Sequence, residues 1–115
     1  MFEIQEIDAG QLHAWQQDAN DRFVLVDVRS PAETAQGMLP GAEAVPMHLI
    51  PLRLEQWQQG GKVVFYCRTG ARSAQVCAFL RQQGIDSVAN LRGGIVDWFR
   101  RGLPLDMPQT AELAG

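Results

Sequence analysis

The stretch Lys62–Gly84, KVVFYCRTGARSAQVCAFLRQQG, constrains the fold of this chain more than any other. An apolar run of β-branched and aromatic residues, Val63-Val64-Phe65-Tyr66, stops at Cys67. A short run of that kind, ended by turn residues and followed by a segment of helical length, reads as a buried strand, a loop and a helix. Cys67 then lies at the carboxyl end of a strand and faces a helix amino terminus, the edge at which open α/β sheets bind ligands. Unpaired N–H groups and the helix dipole favour a thiolate there and attract an anion. Arg68 and Arg72 bring two positive charges into the same turn. This is the pattern of a nucleophilic cysteine acting on a small anion.

The rest of the chain supplies the frame for that stretch. Phe2 to Ile7 reads as a short edge strand. Asp8 with Gln11 three places on is a capping box, which predicts a helix over 9–17 with Leu12 and Trp15 on one face. Phe23-Val24-Leu25-Val26-Asp27-Val28 is a continuous run, the pattern of a strand covered on both faces. Ser30-Pro31-Ala32-Glu33 then starts a short helix that stops at Gly37. A turn-rich segment, 37–42, leads into a brief strand at Ala44-Val45. A helix is predicted over 48–59, with Ile50, Leu52, Leu54 and Trp57 partly buried and Pro51 in its first turn. After the central loop, Ala74, Val76, Cys77, Ala78, Phe79 and Leu80 make a helix packed on the sheet and capped by Gly84. A last strand over 86–91 and a helix through Ile95, Trp98 and Phe99 complete the pattern. Strands alternating with helices imply an α/β domain, a parallel sheet with helices on both faces. The domain is expected to span 1–105, with 106–115 a flexible tail.

Composition narrows the function classes. The 115 residues suffice for one domain with a core of its own, and the net charge is −3. A mildly acidic domain without basic clusters is a poor nucleic-acid binder. No secretory pattern opens the chain and no apolar run reaches bilayer length, so a soluble, cytoplasmic monomer is expected, with no membrane partner. The two cysteines, Cys67 and Cys77, would lie too far apart for a disulfide, and two cysteines with two separated histidines do not form a zinc site. No metal or cofactor is expected. Cys77 reads as a small core hydrophobe, and His48 as an ordinary surface or half-buried histidine.

Within the loop each residue has a reading. Cys67 supplies the thiolate, which can also carry a transferred sulfur atom. Thr69, Gly70 and Ala71 let the backbone curl so that successive N–H groups form an anion nest. Arg72 closes the ring, and Arg68 is placed to meet an incoming oxyanion. Ser73 can donate a hydroxyl hydrogen bond or cap the helix; capping is the preferred reading. Asp27 and Arg29, at the end of the earlier strand, read as a supporting pair that ties loop groups to the sheet edge.

The sequence resembles the rhodanese-like domains, specifically the small single-domain thiosulfate sulfurtransferases. The resemblance runs from Ile4 to Leu105. It is carried by Asp27-Val28-Arg29, the Pro40-Gly41-Ala42 turn, the loop Cys67-Arg68-Thr69-Gly70-Ala71-Arg72-Ser73, and Leu91-Arg92-Gly93-Gly94 with Trp98. It implies a rhodanese-like fold, a central five-stranded parallel sheet with helices on both faces. It also implies a ping-pong reaction through a Cys67 persulfide. The sulfur would come from thiosulfate or a similar donor, and pass to cyanide, a small thiol or a protein thiol. Residues 68 to 72 would cradle the persulfide, and Arg68 and Arg72 would bind donor oxygens. Many members carry His where this chain has Met38, a departure that bears on local packing.

Three other readings compete with this one. Related cysteine phosphatases and arsenate reductases use a loop one residue longer; here four residues separate Cys67 from Arg72, and no acid lies in the loop to protonate a leaving alkoxide. Regulatory members of the family commonly lack the cysteine, which is retained here. A persulfide carrier dedicated to one partner protein would differ from the general enzyme only in its acceptor.

Overall fold

The computed structural model describes residues 4–107. Phe2 of the expected first strand and Pro108–Gly115 of the expected tail lie outside them. Five parallel strands form one sheet in the order β1-β5-β4-β2-β3, with β1 at Gln5–Ile7, β2 at Phe23–Asp27, β3 at Glu43–Ala44, β4 at Lys62–Tyr66 and β5 at Val88–Leu91. Helices α1 (Ala9–Gln17), α2 (Pro31–Thr34), α3 (Glu55–Gln58), α4 (Ala71–Gln82) and α5 (Gly94–Arg100) connect or follow them. The expected α/β fold with a five-stranded parallel sheet is the observed one. Among the described residues no helix is long and apolar enough to cross a membrane.

Side chains alternate across a strand, so each strand contributes to two cores. Val63, Phe65 and Cys67 point into one, with Val26, Val76, Cys77, Leu80, Val88 and Trp57. Val64 and Tyr66 point into the other, with Ile7, Leu12, Leu25, Leu91 and Trp98. This parity places Cys67 on the same side as α4. The capping boxes at Asp8 and Ser30 form as the sequence implies, each with both reciprocal hydrogen bonds. In α4 the buried residues Ser73, Val76, Cys77 and Leu80 follow helical spacing and make one stripe against the sheet.

Three expectations change. The helix expected over 48–59 is two pieces, a 3-10 helix at Met47–Leu52 and the short α3. Pro51 lies inside the first piece; it has no N–H and its ring crowds an α-helical carbonyl, so the chain closes tighter i to i+3 bonds, such as Arg53 N–H to Ile50 O at 3.0 Å. Leu52 is thereby turned out and is 78 % exposed. In β2 the double coverage fails at the start, where Val24 is exposed. Asp106, expected in the tail, exchanges backbone hydrogen bonds with Met38 (2.8 and 2.7 Å), and Leu105 packs against the second core.

Cys77 is fully buried among apolar residues, which pushes its thiol up to about 12. Cys77→Ser should therefore destabilise the fold by about 2 kcal/mol, since it replaces a sulfur packed among apolar side chains with a smaller, more polar hydroxyl. Sulfur transfer should be unchanged. A urea titration beside an activity assay checks both, and a loss of turnover at full stability would give Cys77 a chemical role.

Candidate active site

The carboxyl ends of β2, β4 and β5 lie side by side in the sheet, and the loops that leave them carry the candidate residues. Cys67 follows β4 directly. Gly70 takes a left-handed backbone (φ 106°) and turns the chain into α4. No side chain caps this helix; the sulfur stands where a cap would be. Cys67 Sγ accepts the Gly70 N–H at 3.1 Å and the Ser73 N–H at 3.4 Å, two donors that a helix start leaves unpaired. The Ser73 hydroxyl oxygen also lies 3.4 Å from the sulfur.

The loop is held from behind by α5. Ile95 N–H donates to the Cys67 carbonyl at 3.0 Å and Val96 N–H to the Arg68 carbonyl at 3.1 Å. With the carbonyls drawn outwards to α5, the N–H groups of the turn face the sulfur. This requires glycine at position 94: a Cβ there would lie 2.5 Å from the Cys67 carbonyl oxygen and closer still to that of Arg68.

Both cysteines are almost wholly buried, Cys67 at 1 % exposure, so burial does not distinguish them. Their polar surroundings do. Burial pushes the Cys67 thiol up, but donors from the Ser73 side chain and N–H, the Gly70 N–H and the Thr69 N–H outweigh it and bring the thiol below its ordinary value. An anion on this sulfur is stabilised; on Cys77 it is not.

The other expected site residues lie as follows. Thr69 and Ala71 are exposed on the turn. Arg68 is exposed and lines a cleft of about 400 Å³ beside the loop, with Arg29, Glu33, Ile95, Phe99 and Arg100. Asp27 and Arg29 are buried and pair side by side: Arg29 donates through Nε (3.0 Å to Oδ1) and a terminal nitrogen (2.8 Å to Oδ2), and also to the Gly37 carbonyl at 2.6 Å. They tie the end of β2 to the turn before β3.

Two features differ from the expectations. Ser73 does not cap α4; it sits in the third helical position, buried, with its hydroxyl 2.5 Å from Asn90 Oδ1. Arg72 is bound by Glu33 of α2 through two parallel hydrogen bonds of 2.8 Å each, so its guanidinium is turned to a carboxylate. Neither partner was singled out in the sequence. Asn90 could have been, because it is the one amide in an otherwise apolar buried strand, Val88-Ala89-Asn90-Leu91. Glu33 carried no such signal, since its capping box already accounted for it.

The Arg72 hydrogen bonds are the main cause that lowers the Glu33 carboxyl, from 4.5 to about 2, with burial opposing and Ser30 assisting. A carboxyl held below its unfolded value stabilises the fold above that value, and the contribution is lost as pH falls from about 4.5 towards 2. Because the pair is partly exposed, solvent reduces its worth to about 1 kcal/mol. Glu33→Gln should remove that part of the acid slope of stability, as read by urea titrations at successive pH values. An identical slope in the variant would mean that the pair contributes nothing.

The family model described as "Rhodanese-like domain" matches residues 8–101. A protein of Allochromatium vinosum named sulfurtransferase is 52 % identical over 106 residues, covering 92 % of this chain and 98 % of the relative. The thiosulfate sulfurtransferase GlpE of Glaesserella parasuis is 28 % identical, covering 82 % of this chain and 87 % of its own. The crystal structure of a rhodanese-like domain protein from Staphylococcus aureus superposes with a TM-score of 0.80 at 31 % identity, covering 92 % of this chain and all (100 %) of the other. With the family match running from α1 through the cysteine turn to α5, and more than half of the aligned residues identical in one relative, this chain belongs to the rhodanese-like domain family.

Proposed function

We propose that the protein is a sulfurtransferase that carries a sulfane sulfur on Cys67, taking it from thiosulfate or a donor of similar charge and passing it to cyanide or a thiol. The observation that carries this reading is the Cys67 sulfur set against the N–H groups of Gly70 and Ser73 at the start of α4. A cradle of N–H groups that stabilises a thiolate also suits the anionic outer sulfur of a persulfide. The names of the Allochromatium and Glaesserella relatives support sulfur transfer, and the second supports thiosulfate as donor.

The steps balance without a cofactor. The Cys67 thiolate attacks the outer sulfur of thiosulfate; the S–S bond of the donor breaks, and sulfite leaves with its electron pair. The acceptor then attacks the outer sulfur of the persulfide, and Cys67 leaves as thiolate. Arg68, which lines the cleft beside the loop, attracts the doubly charged donor and steadies the departing sulfite. Arg72, in the first turn of α4, is paired with the Glu33 carboxylate and contributes less charge to the donor than Arg68.

Intact mass spectrometry of the reduced protein tests this. Incubation with thiosulfate should add one sulfur atom, and cyanide should remove it. No gain with thiosulfate, mercaptopyruvate or a cysteine desulfurase as donor would reject sulfur transfer for this chain.

A further inference from the structure

Behind the sulfur, away from the cleft, a chain of polar groups leads from Ser73 to the edge strand. Asn90 lies in β5 and is 1 % exposed. Its amide nitrogen donates to Glu6 Oε2 at 3.0 Å and to the Gly70 carbonyl at 3.2 Å. Glu6 is the residue paired with Asn90 across the β1–β5 ladder, and it also accepts from Arg92 Nε at 3.3 Å. Two acceptors on the nitrogen side fix the orientation of the amide, so its oxygen faces the Ser73 hydroxyl at 2.5 Å.

A hydroxyl has one proton. Three acceptors surround the one on Ser73: Asn90 Oδ1 at 2.5 Å, and Cys67 Sγ and the Gly70 carbonyl at 3.4 Å each. The near one takes it. The oxygen lone pairs then face the sulfur and suit an S–H donor rather than an anion. When the sulfur becomes anionic, the same proton can turn to it, at the expense of an unpartnered Asn90 oxygen.

We infer that Asn90 is a positioning residue that competes with Cys67 for the Ser73 proton and so restrains the anionic form of the sulfur. This rests on the reading of Cys67 as the sulfur carrier. Removing the amide frees the hydroxyl for the sulfur. A purely structural role for Asn90 has the opposite sign: a loosened Gly70 turn takes a donor away from the sulfur and makes the thiolate harder to form. The charged groups set around the sulfur are Arg68 and Arg72 on its own segment, Asp27 and Arg29 at the end of β2, Glu33 behind Arg72, and Glu6 with Arg92 behind Asn90. Asn90→Ala alters none of these charges; it takes one donor from Glu6, which keeps its contact with Arg92.

The test is the pH dependence of iodoacetamide alkylation at Cys67, read on the Cys67 peptide by mass spectrometry, in the native chain, Asn90→Ala, Ser73→Ala and the double variant. Asn90→Ala should move the midpoint to lower pH, with roughly a tenfold faster reaction below the midpoint. The shift should vanish when Ser73 is already alanine. An unchanged midpoint, a shift to higher pH, or a shift that survives in Ser73→Ala overturns the inference. Should Asn90→Ala not fold, Glu6→Gln, at the partly exposed end of the chain of groups, takes its place. Its midpoint should fall more with Ser73 present than without it, and falls of equal size would reduce Glu6 to a plain charge effect and overturn the inference. No sulfur donor enters the assay, so its outcome is separate from that of the persulfide experiment.

Discussion

Cys67→Ser incubated with thiosulfate should gain no mass, and its sulfur transfer should fall to the uncatalysed background. A serine hydroxyl at this site ionises far less readily than a thiol and cannot hold a transferred sulfur as a persulfide. The fold should survive, because the serine oxygen inherits the Gly70 and Ser73 N–H donors that now face the sulfur. A change of about 1 kcal/mol in stability is expected. The contrast with Cys77→Ser is the useful control: two buried cysteines, one embedded in donors and one in hydrocarbon, should separate activity from stability. A sulfur adduct on Cys67→Ser that cyanide removes would transfer the carrier role to Cys77 and discard the cradle argument.

Gly94→Ala should be the most damaging substitution that touches no reacting atom. Its Cβ would meet the carbonyl oxygens of Cys67 and Arg68 and the Arg68 carbonyl carbon, the last at 2.6 Å. All of these are backbone atoms, which cannot rotate aside as a flexible side chain would. The left-handed backbone of Gly94 (φ 58°) adds strain of its own. We expect a loss of about 3 kcal/mol or more in stability. Transfer should fall at least about tenfold in the molecules that still fold, because α5 must withdraw and release the carbonyls that turn the N–H groups towards the sulfur. Gly84→Ala is the matched comparison. It has a left-handed backbone too (φ 85°), but a Cβ there meets nothing within 4 Å, so about 1 kcal/mol is expected and no loss of transfer. Urea midpoints with persulfide formation rates decide it; equal penalties at the two glycines would show that close approach at Gly94 is unimportant.

Much of this molecule could be read along the chain because its signals are local. The apolar run before Cys67, the reciprocal caps at Asp8 and Ser30 and the glycine stops each depend on residues a few places apart. Strand alternation accounts for the face Cys67 takes in the structure: Val63, Phe65 and Cys67 share one parity and therefore one core. The reading failed where a local rule met a local exception. Pro51 turned an expected helix into a 3-10 segment, and Leu52 went to solvent with it.

What the amino-acid order determined by itself is the layered fold and the position of Cys67 at the sheet edge. What only the tertiary structure decided is the company that cysteine keeps. Glu33 reaches Arg72 across 39 positions, and Glu6 reaches Asn90 across 84. No periodicity records such pairings, because they arise when the parallel ladder and the crossovers bring distant strand ends together. Ser73 shows the consequence most plainly. Its place at a helix start suggests a cap, yet its single proton is drawn to the nearer acceptor, an amide from the neighbouring strand.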